Sequence, residues 1–509
     1  MKKILLLFIS IFLTAQTIQS QTVVLDTNGV TVKWTGTTVP STYFVQANPR
    51  GTGMEWFAIV DNSTKVNITN YAKNIQSGIS FFTRPSTTTP IPFNNIVTTL
   101  VTDMGYMFSQ ATAFNQPIIS WNVTNVTNMG YMFNQALSFN QPIGLWNVSN
   151  VISMENMFFN TSVFNQPIGS WNTINVTTME GMFHYATAFN QPIGNWDVSS
   201  VINMNSMFQS ANAFNQPIGS WNVSNVTDMS SMFREVTTFN QPIGSWNVGN
   251  VTDMNTMFYN ATSFNQPIGS WNVSNVTNMQ SMFQSANAFN QPIGSWNVSR
   301  VSGMWGMFAG ASSFNQPLNS WDVTNVFDMA AMFQSATAFN QPIGSWNVGN
   351  VYDMTAMFSA VQLSTANYDE LLIGWSTISP NERPLNRNVR FSGGGNSKYC
   401  NGASARSSII STYGWTITDG GQDANCVLDT ETFETNNLKL FPNPVVSLLN
   451  IKTDNTLINE PFTIIDGLGR IVVNGKLNEV DTTINVEQLS KGIYYLKVSG
   501  NSSNKFIKE

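Results

Sequence analysis

The stretch FNQPIGSWNVSNVTDMSSMF, residues 214–233, decides how this 509-residue chain folds, because close copies of it recur along half of the chain. A repeat of this length is typical of a solenoid, in which each copy forms one coil and stacks on the next. We therefore predict a regular stack of coils over residues 101–360. The spacing is read from a row of tryptophans that stand 25 residues apart without interruption: Trp121, Trp146, Trp171, Trp196, Trp221, Trp246, Trp271, Trp296, Trp321 and Trp346.

The apolar spacing within one copy predicts the structure of a single coil. From Ile218 the steps to Trp221 and then Val223 are three and two, a leucine-rich-repeat spacing with a short strand at residues 220–223. From Val226 the apolar steps become three, three, one and three, as on one face of a helix. We predict an α/β repeat solenoid that is leucine-rich-repeat-like, with 25-residue coils of a short strand plus an outer helix. Acids such as Asp228 would stand at the start of that helix, where a carboxylate interacts favourably with the positive end of the helix dipole. The alternative role for these acids is calcium binding.

The tryptophan row has two interpretations, as part of the core or as a platform that stacks on a ligand. Trp121 alternates in phase with Val123, and the same holds in the later copies. Because alternating apolar residues point to one face, we predict that the row is core.

Charge and composition limit the class of partner. Only 10% of the residues are charged and the net charge is −6, with an isoelectric point of about 4.9. These values argue against binding to nucleic acid or to anionic membranes. Residues 1–20 are typical of a signal peptide, with two lysines before a short apolar run, and no other segment is a transmembrane candidate. We therefore expect an exported protein.

The flanking regions lack the repeat. Residues 21–100 predict a β-rich N-terminal cap, and residues 361–427 predict a C-terminal cap with helices at 363–374 and 403–413. In an exported chain Cys400 and Cys426 predict one disulfide, worth roughly 3–4 kcal/mol, with two free thiols as the alternative. Residues 428–438 are polar and predict a linker. Alternating apolar runs over residues 439–509 predict a β-sandwich of the immunoglobulin-like kind.

The repeat resembles the BspA-like leucine-rich-repeat surface proteins, in their mycoplasma-lipoprotein-like branch. The matching signature runs from Phe264-Asn265-Gln266 through Trp271-Asn272-Val273 to Met282-Phe283, with asparagine after most tryptophans where the family has aspartate. The resemblance implies a surface protein for adhesion or interaction.

The tail carries a recognisable set of motif residues: Phe441, Pro442, Asn443, Pro444, Gly467, Gly492 and Tyr494. With these residues the tail resembles a type IX (Por) secretion system C-terminal sorting domain. The resemblance implies that the secretion machinery recognises this domain, that the chain crosses the outer membrane, and that the protein is secreted or lies on the cell surface.

Three functions follow as hypotheses. The first is an exported adhesion or protein-interaction scaffold, whose variable residues on the outer helix, such as His184, Arg234 and Tyr259, are a recognition surface or simply less constrained. The second hypothesis is a glycan-binding module. Its candidate binding face is the row of polar residues that follow the tryptophans, and the alternative role of this row is a structural ladder: Asn122, Asn147, Asn172, Asp197, Asn222, Asn247, Asn272, Asn297, Asp322 and Asn347.

The third hypothesis, an enzyme, is not expected. His184 is the one histidine, no catalytic set can be assembled around it, and no cofactor or metal is expected.

Overall fold

The structure is a computed structural model that describes residues 22–74, 82–378, 382–392, 394–426, 438–453, 457–467, 469–498 and 504–509. Contacts divide the chain into two units, residues 1–426 and 427–509. The predicted signal peptide lies outside the described residues, as does the predicted linker apart from Leu438.

The region before the repeats, predicted as a β-rich cap, contains five short strands and one α-helix among the described residues. The elements are β1 (Val23–Leu25), β2 (Val32–Trp34), β3 (Phe44–Ala47), β4 (Glu55–Asp61), α1 (Lys65–Lys73), a 3₁₀ turn (Phe93–Asn95) and β5 (Ile96–Leu100). β1 pairs with β2 antiparallel, while β4 lies between β3, which is antiparallel, and β5, which is parallel. The helix α1 was not predicted from the sequence, and it buries Ile68, Tyr71 and Ala72 in the core that continues into the coils.

The coils contain neither the predicted strand nor the predicted outer helix. Residues 101–364, all of which are described, form turns and single parallel β-bridges. The bridges join each copy to the next through the residue before the first methionine, so that Asn203 pairs with Asp228 and Asp228 with Asp253. The prediction of a helix after Val226 was therefore wrong, and the contact between coils runs through the segment that was predicted to be helical.

Backbone hydrogen bonds explain why this segment is not a helix. An α-helix requires each N–H to bond the carbonyl four residues earlier. Here the N–H groups of Met229, Ser231 and Phe233 donate instead to carbonyls of the next coil, at 2.8–3.1 Å. The intervening N–H of Met232 closes a turn onto the carbonyl of Met229 at 3.2 Å. Ser231 and Glu235 have φ of 57° and 62°, which no α-helix allows and which costs of order 1–3 kcal/mol each unless the surroundings enforce it.

The apolar frame of each coil is buried, as predicted. In one copy Ile218, Val226, Met229 and Phe233 are fully buried, and Trp221 is 4% exposed. The six successive tryptophan pairs that stack have ring centroids 6.2–6.5 Å apart and planes within 6° of parallel. The prediction that the tryptophan row is core is confirmed.

An asparagine ladder runs between the coils and ends on the C-terminal flank. The side-chain Oδ1 of Asn215 accepts the backbone N–H of Asn240 at 3.1 Å and the Nε2 of Gln241 at 3.0 Å, and the other copies repeat this pattern. After the last copy, the N–H of Ser364 donates to Asn340 Oδ1 at 2.8 Å, and Asn367 takes the place of the glutamine. The first turn of the following helix therefore caps the ladder.

The C-terminal flank contains both predicted helices. The first, α2 (Thr365–Ser376), runs two residues past the predicted end, and Ser364 caps it by accepting the Asn367 N–H. Cys400 and Cys426 are joined by a disulfide with the Cα atoms 5.4 Å apart. Asp369 is buried and accepts three backbone N–H groups from residues 400–402 at 2.8–2.9 Å. The elements are α2 (Thr365–Ser376), β6 (Arg390–Phe391), α3 (Ala403–Tyr413) and β7 (Thr416–Ile417), with β6 and β7 paired in parallel.

The second unit consists of two antiparallel sheets that share one core. The strands are β8 (Lys439–Phe441), β9 (Leu448–Lys452), β10 (Pro461–Asp466), β11 (Ile471–Lys476), β12 (Asp481–Asn485), β13 (Gly492–Val498) and β14 (Asn504–Lys508). The four-stranded sheet has the order β11-β10-β13-β14 and the three-stranded sheet the order β12-β9-β8. Leu449 and Ile451 of one sheet lie in the same apolar cluster as Ile464, Leu496 and Phe506 of the other.

Candidate functional site

The predicted binding row, from Asn122 to Asn347, is a row of small turns within the coils. In all ten members the side-chain oxygen accepts the backbone N–H two residues later, at 2.9–3.3 Å. Asn122 is buried, Asn347 is half-buried, and the eight members between them are exposed. Among the described residues, the Nδ2 groups of the exposed asparagines donate no hydrogen bond, so this face presents a row of unused amide donors.

A second asparagine column, beside this row, has its amide groups engaged. Asn125, Asn150 and Asn175 each donate Nδ2 to a carbonyl of the preceding coil at 2.7–2.8 Å. Thr127 donates its hydroxyl in the same direction at 3.3 Å. These side chains hold the coils in register. With Ile152, which is 49% exposed, they border an open hollow of about 510 Å³.

The residues that vary most between copies lie on the turns, where the outer helix was predicted. His184 packs edge-on against the ring of Phe159, at 4.8 Å between centroids, and stacks on Tyr185 at 4.4 Å. Burial lowers the pKa of His184 to about 4, with Glu235 opposing this shift and Arg234 adding to it. At neutral pH the imidazole is therefore uncharged.

The acids that precede the first methionine of each copy do not lie at the start of a helix, as was predicted. Asp228 and Asp253 each accept the backbone N–H two residues later at 2.8 Å, which closes a local turn. Among the described residues, no group of three or more histidine, cysteine, aspartate or glutamate side chains is arranged to hold a metal ion.

Sequence reasoning missed an aromatic pair at the start of the array. Tyr106 and Tyr131 stack with their ring centroids 4.7 Å apart and their planes 3° from parallel. The Tyr131 hydroxyl donates to Glu155 Oε1 at 2.6 Å. That hydrogen bond, together with burial, raises the pKa of Tyr131 to about 12. The signal in the sequence was a tyrosine in two copies at a position where every later copy carries a small residue.

Several of the candidate sorting residues lie against the C-terminal strand of the second unit. Asn443 accepts the N–H of Ile507 at 2.8 Å, and the neighbouring Val445 pairs with Lys508 as a parallel bridge. The peptide bonds before Pro442 and Pro444 are cis. Tyr494 stacks on Phe506 of β14 and donates its hydroxyl to Ser490 O at 2.8 Å. Gly467 lies in the turn after β10, and Gly492 begins β13.

Comparison with known families matches both units. A family model described as "Mycoplasma protein of unknown function, DUF285" matches residues 78–193, 154–270 and 261–371, which together cover more than half of the chain. The chain belongs to the DUF285 family. The predicted resemblance to the BspA-like repeat proteins is thereby confirmed.

A second family model, described as "Secretion system C-terminal sorting domain", matches residues 439–509 of this DUF285 protein. The predicted sorting domain is confirmed, and the protein is secreted or lies on the cell surface. No helix among the residues that the structure describes is long and apolar enough to span a membrane. No curated protein and no solved structure matches the chain.

Proposed function

We propose that this DUF285 protein is an exported adhesion or protein-interaction scaffold, built as a solenoid and carried out of the cell by an immunoglobulin-like sorting sandwich. The observation that carries the proposal is the separation of roles within each coil. The large apolar side chains are buried in one continuous core, and the side chains that vary, such as His184, Arg234 and Tyr259, lie on the turns and are half-buried. A surface that changes while the frame stays constant is suited to recognition.

The low density of charge on the coils supports a short-range, polar mode of binding. Residues 101–360 carry ten scattered acids and two arginines, Arg234 and Arg300. Long-range steering of partners is therefore weaker than at densely charged surfaces. Binding depends instead on hydrogen bonds and shape, and should change little with salt.

The structure favours a glycan-binding surface module as the second candidate function. The exposed asparagines that follow the tryptophans have their oxygens engaged and their Nδ2 donors unused among the described residues. Sugar hydroxyls accept such hydrogen bonds. We do not propose catalysis, because the chain has one histidine and no carboxylate pair recurs in the copies.

Two measurements test the proposal. Cells that produce the full chain should bind a host or abiotic surface more strongly than cells that lack it, and deletion of residues 439–509 should abolish both export and this binding. Export without the tail would contradict the assignment of the tail. Normal export without a gain in surface binding would contradict the adhesion role. Retention of the purified chain on a polysaccharide array, insensitive to salt, would favour the second candidate function.

A further inference from the structure

The first two coils carry large aromatic side chains at a backbone position that disfavours them. Tyr106 and Tyr131 have φ of 61° and 59°, in the left-handed region that costs a residue with a bulky side chain of order 1–3 kcal/mol. The fold does not require an aromatic ring there, because later copies form the same turn with small side chains. The later residues are Asn156, Gly181, Ser206, Ser231, Thr256, Ser281, Gly306, Ala331 and Ala356.

The stacked pair leaves one aromatic face open. Tyr106 is 58% exposed although one of its faces is covered by Tyr131. It also borders a hollow of about 420 Å³ on the side of α1. The other residues around this hollow are mostly polar or cationic: Lys65, Val66, Thr69, Lys73, Gly105, Ser109, Gln110 and Asn134.

The hollow combines an aromatic face with a polar rim. A pyranose ring has the matching chemistry, since its C–H face packs on an aromatic ring while its hydroxyls point outward.

The charge of the hollow favours an acidic ligand. Lys65 is neutralised by its ion pair with Asp103. None of the ion pairs among the described residues involves Lys73, which ends α1 and is exposed. Lys73 therefore leaves one positive charge at the rim in a protein whose net charge is −6. Glu155 lies on the other side of the tyrosine pair, bordering a separate hollow of about 380 Å³.

We propose that this hollow, here called the Tyr106 site, binds an acidic sugar residue of a polysaccharide. Tyr106 stacks on the pyranose ring, and Lys73 pairs with the sugar carboxylate. This inference rests on the proposed interaction role and names the partner class of one site within it. It differs from the asparagine row in needing a stacked ring and a cation.

Calorimetric titration of the full chain with trigalacturonate and with galactotriose, at low salt, tests the Tyr106 site. The expected affinity for the acidic trisaccharide is about 0.1–1 mM, a plausible range for one small solvent-facing subsite. Tyr106→Ser installs a residue that later copies carry at this position, so the fold should be retained. It should weaken binding by roughly tenfold, as expected for losing a stacking contact. Tyr185→Ser, another exposed tyrosine with positive φ, is the control and should leave the affinity unchanged.

Lys73→Gln separates the charge from the stacking. It should weaken trigalacturonate binding to the level of galactotriose while leaving galactotriose binding within about twofold. Equal affinity of the unmodified chain for the two trisaccharides would overturn the assignment of an acidic ligand. Absence of trigalacturonate binding, or no effect of Tyr106→Ser, would overturn the site. If surface binding by cells persists in either case, this inference fails while the adhesion proposal stands.

Discussion

Replacing Trp221 by phenylalanine tests how the coils hold one another. The indole is 4% exposed, and its ring lies 6.5 Å from that of Trp246 in the next coil and 6.3 Å from that of Phe208 in the preceding one. Its Nε1 donates to the carbonyl of Ile193 at 3.2 Å, which ties the coil to its predecessor. Phenylalanine keeps the aromatic face but is smaller and has no donor.

The substitution should lower the free energy of unfolding in two ways. The smaller ring leaves a cavity in a close-packed core, which costs about 1–2 kcal/mol. The lost hydrogen bond adds about 0.5–1.5 kcal/mol. This second cost stays moderate because Ile193 O also accepts the backbone N–H of Trp196 at 3.1 Å and so keeps a donor. Together they predict a loss of about 1.5–3.5 kcal/mol in the free energy of unfolding.

Urea denaturation of the full chain, followed by far-UV circular dichroism, measures this cost from the shift in midpoint at a shared m-value. Trp305→Phe is the matched control, because Trp305 lies in a turn and is 44% exposed. We expect the control to change the free energy by less than about 0.5 kcal/mol. A midpoint shift for Trp221→Phe no larger than that of the control would refute the claim that the indole row binds the coils together.

Three further changes have expected outcomes. Ala331 has φ 55°, so Ala331→Gly should raise the free energy of unfolding by about 0.5–1 kcal/mol. Ala330→Gly, at the neighbouring position, should lower it by a similar amount. A loss of stability in both variants would contradict the left-handed backbone conformation of Ala331. The pKa of His184 is lowered to about 4 in the folded chain. As the pH falls, the unfolded chain therefore binds a proton at His184 before the folded chain does. The free energy of unfolding should fall by about 1–2 kcal/mol between pH 6.5 and pH 4, a figure discounted for the partial exposure of the side chain. His184→Gln should flatten that part of the pH profile of the unfolding midpoint, and an unchanged profile would refute the assignment. Replacing Cys400 and Cys426 by alanine should destabilise the C-terminal flank by about 2–4 kcal/mol, visible as faster amide exchange in α3 with unchanged exchange in the coils, and unchanged exchange in α3 would contradict it.

Several features could be predicted from local chemistry alone. The period, the inward residues of each coil and both helices of the C-terminal flank follow from apolar spacing and capping. Ser364, for example, accepts an N–H of the first turn of α2 in the way its position suggests. The Tyr106 site could not be predicted, because it combines the first coils with α1, and sequence patterns do not reveal which distant elements meet.

The repeat alone determined that neighbouring copies share one core, since a tryptophan every 25 residues requires a neighbour to bury it. The tail motifs alone determined that the protein leaves the cell. The backbone path was decided by tertiary contact. The apolar steps after Val226 fit one face of a helix and fit equally a chain of turns, because both bring residues three and four apart to the same side. The carbonyls of the next coil decided between the helix and the turns. They accept alternate backbone N–H groups, those of Met229, Ser231 and Phe233, which a helix would have bonded within itself.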